Sequence, residues 1–361
     1  MRTLAALKDE CRTLGLTVEM TGRQAKANCL EALRSHYWEA DHPGKPLPEQ
    51  IEPMLLKDWH SRDSDMQATA EADDSDWMVQ EKYDGVRVLV HIDRESVRIT
   101  GRNISTTTYR LSEYAEHVPH LKKGLDGLYG TVLDAELICP LDAFDTGTVK
   151  TTSALQAVVA VLATSPDSAV HLQAANDSPI QAHVFDVLRD CGENLKDKPL
   201  SVRHGRLLRL FAKIDNPNYH VVNTVCEDKV AFHESVIERG GEGTVWKRAD
   251  SRYRTGKRSS DWLKRKRSLR IDGVISGFKP GTTGRGNEHL VGAIEVSDPS
   301  GRPIAWISNL TDEERVRLTD SGQTSPRLLP EIYGRRITVE GHDIAGRSGR
   351  LRHARIVGRL I

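Results

Sequence analysis

The sequence predicts an α+β protein of more than one domain, and three observations carry that prediction. Residues 1–38 show two apolar stripes at helical spacing, residues 51–270 alternate strand-like and helix-like runs, and residues 271–361 hold short strands between glycine turns. At 361 residues the chain has room for two or three domains, since about 150 residues is the usual size.

In the first region Leu4, Leu7, Cys11 and Leu14 mark one helix and Gly15 supplies its stop. Ala25, Cys29, Leu30, Leu33 and Tyr37 mark a second. So short a piece buries little core, so residues 1–38 read as a small helix–loop–helix module. Residues 39–50 read as a linker, and Pro43, Pro46 and Pro48 make it semi-stiff, which suits a tether. Within 51–270, Val86 to Ile92, Val132 to Ile138, His183 to Leu188 and Thr244 to Lys247 have strand character. Leu155 to Leu162, Arg203 to Ala212 and Lys229 to Arg239 read as helices. Beyond Ile271 the strands are Gly273 to Phe278, Val291 to Val296, Ile304 to Ile307 and Arg336 to Glu340, which suggests a small barrel or sandwich.

Composition bounds the function. The apolar stretch from Ala154 to Ala163 is half the length of a membrane span, about 20 residues, and no signal peptide is visible at Met1 to Leu7. Five scattered cysteines exclude zinc knuckles and fit a reducing, intracellular compartment. The net charge of zero hides segments of opposite sign: Glu52 to Asp76 carries −6, and Lys247 to Arg270 carries +9. A basic segment interrupted by Tyr253 and Trp262 is a footprint for phosphate or nucleic acid, although a solvated face would look the same.

The chemistry-bearing signal is Glu81-Lys82-Tyr83-Asp84-Gly85-Val86-Arg87. Leu133-Asp134-Ala135-Glu136-Leu137, Val184-Phe185-Asp186, Glu242-Gly243-Thr244-Val245-Trp246-Lys247 and Trp262-Leu263-Lys264-Arg265-Lys266 follow it in order. Strand side chains alternate faces, so Asp134 shares a face with Glu136, and Lys264 with Lys266. Carboxylates at that spacing suit a divalent cation or a ribose, and paired lysines suit a phosphate. A lysine nucleophile must lose a proton; from a reference pKa of about 10.4 that costs about 4 kcal/mol near neutral pH, which neighbouring cations reduce.

In this order and spacing the segments resemble the nucleotidyltransferase motifs of ATP-dependent DNA ligases. The resemblance runs from about Pro53 to the C-terminus and includes a compact size similar to bacteriophage ligases. It implies an ATP-grasp-like adenylation domain of antiparallel sheets with helices at 51–270 and an OB-fold β-barrel at 271–361. It further implies Lys82 as the nucleophile that takes AMP from ATP, with Gln80 on the adenine side, Arg87 and Glu136 on ribose, and Phe185 stacked on adenine. Arg102 would handle phosphate, Arg258 the nucleotide, and Lys264 and Lys266 the α-phosphate. Glu136 and Glu242 would hold Mg²⁺ or Mn²⁺. Gln80 stands where relatives often have Glu, and Asp134-Ala135-Glu136 where they read Asp-Gly-Glu. The last motif is present in part, with Arg352 and Arg355 as its arginines.

Residues 4–33 separately resemble a SAP domain, a helix–loop–helix that binds duplex DNA; a small packing hairpin docked on the next domain would show the same pattern. Arg23 and Lys26 there, and Arg285 in the glycine-rich loop 281–286, are the candidate DNA contacts. The implied activity is sealing of nicks or ends in duplex DNA by a cytoplasmic monomer, in a bacterium or a phage-infected cell, serving repair, replication or recombination. The alternatives are an RNA ligase or a capping guanylyltransferase of the same superfamily, and a non-catalytic DNA-binding protein.

Overall fold

The computed structural model describes residues 3–357 apart from 62–63, 73–75, 141–142, 149, 285, 321–324, 342–348 and 352–353. It divides into two compact units, Met1–Arg265 and Lys266–Ile361.

The helices of the first unit are α1 (Leu4–Thr13), α2 (Ala25–Asp41), α3 (Ser64–Glu71), α4 (Ala154–Leu162), α5 (Pro166–Ala175), α6 (Leu200–Phe211) and α7 (Lys229–Glu238). Its strands begin with β1 (Leu55–Asp58), β2 (Trp77–Glu81), β3 (Val86–Ile92), β4 (Val97–Ile104), β5 (Leu111–Glu113), β6 (Thr131–Ile138) and β7 (Phe144–Asp145). They continue with β8 (Lys150–Thr151), β9 (Gln181–Asp190), β10 (Glu193–Asn194), β11 (Tyr219–Val221), β12 (Thr224–Val225), β13 (Gly243–Arg248) and β14 (Arg258–Lys266).

Two sheets form the body of this unit. One has the order β1-β14-β13-β2-β12; the other runs β10-β9-β6-β3-β4-β5 with β11 beside β9. The period of two sorts their side chains. On β3 and β6, Val88, Val90, Leu133, Ala135 and Leu137 enter one large core, which α4 and α5 help to close through Val158, Val161 and Ala169. The other face of the same strands carries Leu89 and Val132, which pack with Met78 and Trp262 of the first sheet and with Met54 just before β1. The outer face of the first sheet buries Trp77, Val79, Trp246 and Leu263 against Trp59. The sheets are not wholly antiparallel as expected: β1 pairs with β14, and β11 with β9, in parallel. Long intervening chain permits these pairings, which a hairpin cannot make.

The apolar stretch expected near Ala154 is α4, started by Ser153, whose hydroxyl accepts from Gln156 N. At the N-terminus, α1 is followed by the left-handed Gly15 (φ 67), and α2 runs to Asp41, past the expected boundary at residue 38. The helix pair is not a free tether. Its small core of Leu7, Cys11, Cys29 and Leu33 includes Tyr109 from the turn between β4 and β5, because that stripe needs an apolar partner the pair does not contain.

The second unit holds β15 (Leu269–Pro280), β16 (Val291–Ser297), β17 (Pro303–Ile307), α8 (Asp312–Leu318), β18 (Arg336–Gly341) and β19 (Arg355–Val357). Its strands follow the open path β17-β16-β15-β18-β19, so no closed barrel is present among the described residues. Helix α8 was not foreseen, although Thr311 and Glu314 form a capping box, a signal readable in sequence. The glycine-rich loop joins β15 to β16; Arg285 lies outside the described residues.

Candidate active site

Lys82 stands at the end of β2, where its backbone N–H donates to Gly243 O at 2.9 Å. That bond ties it to the start of β13, the strand paired with β2. Three residues on, Gly85 passes so close to β6 that a Cβ there would lie 2.1 Å from Leu137 O. Only glycine allows that approach, and it turns the chain from one sheet into the other. Tyr83 leans on His183 with ring centroids 4.4 Å apart. The Lys82 ammonium donates to Glu242 Oε2; the two side chains are 20% and 19% exposed, so the pair is accessible at the pocket's edge.

The pocket lies between the inner faces of the two sheets. Gln80, Val245, Lys247 and Trp262 come from the first sheet, and Arg87, Glu136 and Phe185 from the second, with Lys82 beside them. Register explains the convergence. Arg87 pairs with Glu136 across β3 and β6, Gln80 pairs with Val245 across β2 and β13, and each belongs to the inward half of its strand.

Arg87 is held inside the fold as well as lining the pocket. Nε and NH2 form a two-pronged pair with Asp134 at 2.9 and 2.6 Å, and NH1 donates to Met54 O at 2.6 Å. Asp134 is fully buried and also accepts from Tyr253 OH at 2.6 Å. Asp134 is thus spent on Arg87, and of the two carboxylates sharing that face only Glu136 is offered to the pocket. Burial pushes the Glu136 carboxyl up to about 7, although Lys82 and Arg87 pull the other way. A carboxylate so placed fits a divalent cation, whose charge would hold it ionised.

Gln80 has a settled orientation. Its amide nitrogen donates to Phe185 O at 3.3 Å and to Thr224 Oγ1 at 3.0 Å, and Thr224 donates its own proton to Val222 O at 3.1 Å. Both neighbours can only accept from Gln80. Its Oε1 is left buried with no partner among the described residues. Opposite in character is Lys247, the last residue of the Glu242-to-Lys247 motif, to which the sequence pattern alone assigns no role. It is 2% exposed and its ammonium has no hydrogen-bond partner among the described residues. Nζ lies 4.0 Å from the Trp262 ring centroid and 4.4 Å from that of Phe185. Burial pulls this amine down to about 7, against the opposite pull of Asp186 and Asp134. The signal was available: Lys247 stands two after Val245, so the period of two puts both on one face.

The remaining expected residues are spread more widely. Arg102 is exposed on β4, and Arg258 opens β14, where its guanidinium donates to Leu56 O. Lys264 is half-buried on β14 in register with Asp58 of β1, and Lys266 is the last residue of that strand. None of these four lines the pocket described above. Arg23 is exposed in the loop before α2, and Lys26 is half-buried on that helix. In the second unit Arg355 is tied to buried Glu340 at 2.7 Å, while Arg352 lies outside the described residues. No cluster of three or more His, Cys, Asp or Glu stands ready for a metal among the described residues. Glu136 and Glu242 are carboxylates beside Lys82. No helix among the described residues is long and apolar enough to cross a membrane.

The family model of the ATP dependent DNA ligase domain matches residues 53–266. A DNA ligase of Natronomonas pharaonis is 34% identical over 272 residues, covering 74% of this chain and 44% of that protein. A probable DNA ligase of Streptomyces coelicolor is 33% identical over 312 residues, 83% of this chain and 56% of its own. The chain therefore spans about half the length of the curated relatives it matches. A solved structure named Pmar-Lig_PreS3 shares the fold at a TM-score of 0.55 and 17% identity, covering 98% of this chain and 83% of that one.

Proposed function

The chain belongs to the ATP-dependent DNA ligase family, and from that premise we propose that it seals 5′-phosphate/3′-hydroxyl breaks in duplex DNA as a monomer. The observation that carries this reading is the pocket beside Lys82, whose partnerless polar atoms complement adenine. Gln80 offers an acceptor, suited to the exocyclic amine of adenine, and Lys247 offers a buried amine, suited to a ring nitrogen. Phe185 supplies an aromatic face for the base. Guanine would set its own carbonyl oxygen against Gln80 Oε1, acceptor on acceptor, which favours ATP over GTP and counts against a capping guanylyltransferase.

In the first step the neutral Lys82 amine attacks the α-phosphorus of ATP. The N–P bond forms and the bond to pyrophosphate breaks, its electron pair leaving with pyrophosphate. Glu242, already the acceptor of the Lys82 ammonium, is in place to receive the proton that the lysine must lose. A 5′-phosphate oxygen of DNA then takes the adenylyl group, the N–P bond breaks, and the lysine regains a proton. Finally the 3′-hydroxyl attacks the 5′-phosphorus and AMP departs. Lys264, Lys266 and Arg258 neutralise phosphate charge, and Arg102 holds a phosphate of the substrate. Glu136 and Glu242 would hold Mg²⁺ or Mn²⁺, which would supply charge to polarise the phosphate oxygens.

The second unit reads best as an OB fold, since five strands with α8 between the third and fourth suit a partly open barrel. The helix pair α1–α2 reads as SAP-like, with Arg23 and Lys26 facing DNA phosphates. The experiment is direct. The intact protein with labelled ATP gains one AMP, loses it on pyrophosphate addition, and gains none from GTP. Lys82→Ala forms no adduct yet retains some sealing of a pre-adenylated nick. An AMP adduct on Lys82→Ala, or faster sealing of nicked RNA than of nicked DNA, overturns the reading.

A further inference from the structure

Helices α1 and α2 grip the tip of the β4–β5 hairpin, whose first strand carries Arg102. The centre of the grip is Tyr109, buried at 3% exposure and held at φ 56, a backbone region that bulky side chains avoid unless their surroundings impose it. Its hydroxyl donates to Glu10 Oε2 at 2.5 Å, and Tyr37 donates to the other oxygen of the same carboxylate at 2.8 Å. Arg34 Nε donates to the Tyr109 carbonyl at 2.6 Å. Arg110 reaches Asp41 at 3.3 Å and lies 4.8 Å from the Trp38 ring centroid.

Within the tip, Ser105 N donates to Arg110 O at 2.8 Å, and Ile104 pairs with Leu111. Ser112 Oγ donates to the carbonyl of Asn103, the residue after Arg102, at 3.2 Å. On the near side, a Cβ at Gly101 would lie 2.7 Å from the Tyr114 ring, so the strand is seated there too. Between these two anchors the ladder is irregular, with a register shift between Thr100 and Ile104. Arg102 thus stands on a bulged stretch whose far end, closed by the Ile104–Leu111 pair, is gripped by the helix pair.

We propose that α1–α2 is a positioning device for Arg102, acting through the Glu10–Tyr109–Arg34 latch. This rests on reading Arg102 as a phosphate contact. The helix pair then contributes to recognition of the substrate phosphate in addition to any DNA contacts of its own, and Glu10 and Arg34 are positioning residues.

The test uses the full chain and two nicked duplexes that differ only in a 5′-phosphate or a 5′-hydroxyl at the nick, with binding measured without divalent cation so that no chemistry follows. The ratio of the two dissociation constants reports the phosphate contact. Arg102→Ala should lower that ratio about tenfold, the worth of one charge-assisted contact. Glu10→Ala and Arg34→Ala should each lower it roughly three- to tenfold, and adding either to Arg102→Ala should change it less than about twofold. Tyr109→Phe, the mildest variant, should shift it in the same direction while melting at the wild-type temperature. Equal weakening on both duplexes, with the wild-type ratio kept, would make the helix pair a tether only and overturn the proposal. Additive double variants would overturn it as well. A wild-type ratio in Arg102→Ala is a different failure, which removes the phosphate reading of Arg102 itself.

Discussion

The contact between α6 and β9 and the wall of the pocket each bury a cation, and the fold treats the two in opposite ways. Arg203 on α6 is fully buried, and four of its five guanidinium N–H groups are bonded within the protein. It meets Asp186 through Nε and NH2 at 2.9 and 2.8 Å, and NH1 donates to Lys198 O and Ser251 O at 2.7 and 2.8 Å. Lys247, on β13, is buried nearly as deeply, but its ammonium lies over two aromatic rings with no hydrogen-bond partner among the described residues, Asp186 and Asp134 acting on it through charge alone. Cation–π attraction offsets part of the lost hydration and leaves the hydrogen-bonding capacity unused. The first arrangement fastens a helix to a sheet. The second keeps polar capacity in reserve, and Gln80 Oε1 does the same on the neighbouring strand.

Four perturbations would break or sharpen this contrast. The largest should follow Arg203→Ala, which leaves the buried Asp186 carboxylate without its guanidinium; a loss of about 3–5 kcal/mol in denaturant unfolding is expected. A loss under about 1 kcal/mol would show that Arg203 is not the fastener. Next comes Glu242→Gln, which keeps an oxygen able to accept from Lys82 but removes the carboxylate that can take its proton. Self-adenylylation should slow by about 100-fold, a typical worth for a positioned base, with no change in the melting curve.

Lys247→Met should act in the reverse sense to Arg203→Ala. Removing a buried, partnerless amine should stabilise the ligand-free protein by about 1–2 kcal/mol while weakening ATP binding roughly tenfold. The pH dependence has a definite sign. Burial lowers the native amine from 10.5 to about 7, so between those values the unfolded chain binds the extra proton and this group's penalty on folding fades as pH rises. The stabilisation by Lys247→Met should therefore be greatest at and below about pH 7 and shrink toward pH 10; a gain that grows with pH would contradict the assignment. The smallest effect belongs to Gln80→Leu. Loss of one neutral acceptor should narrow the preference for ATP over GTP in adduct formation by roughly three- to tenfold. An unchanged preference would move base selection elsewhere.

The legible parts of this protein share a cause. The strand at Val86 to Ile92 has the expected bounds, and those near Val132, His183 and Thr244 lie within a few residues of expectation, because alternation and β-branched runs are local properties of the chain. The same period correctly put Asp134 and Glu136 on one face. It could not tell them apart. Their division of labour depends on Arg87, which Met54 O, Tyr253 OH and Asp134 together hold in place. The three prolines at 43–48 pointed to a tether for the same reason: local stiffness is written in sequence, whereas the place of Tyr109 in the core of the helix pair is not. The helix at Asp312–Leu318 is also written locally, in a capping box that stands amid strand signals.

The sequence by itself determined the order of the reactive residues, the faces on which they stand and the turn glycine beside Lys82, since backbone period and steric exclusion act between near neighbours. The tertiary structure alone decided which polar groups are satisfied. Pairing of Met78 with Lys247 on neighbouring strands, and of Leu55 with Arg258 in parallel, joins segments far apart along the chain. Whether an amine or an amide oxygen finds a partner depends on those distant segments. Hydrogen bonds reach about 3 Å, and no local pattern specifies what the rest of the fold brings within that distance.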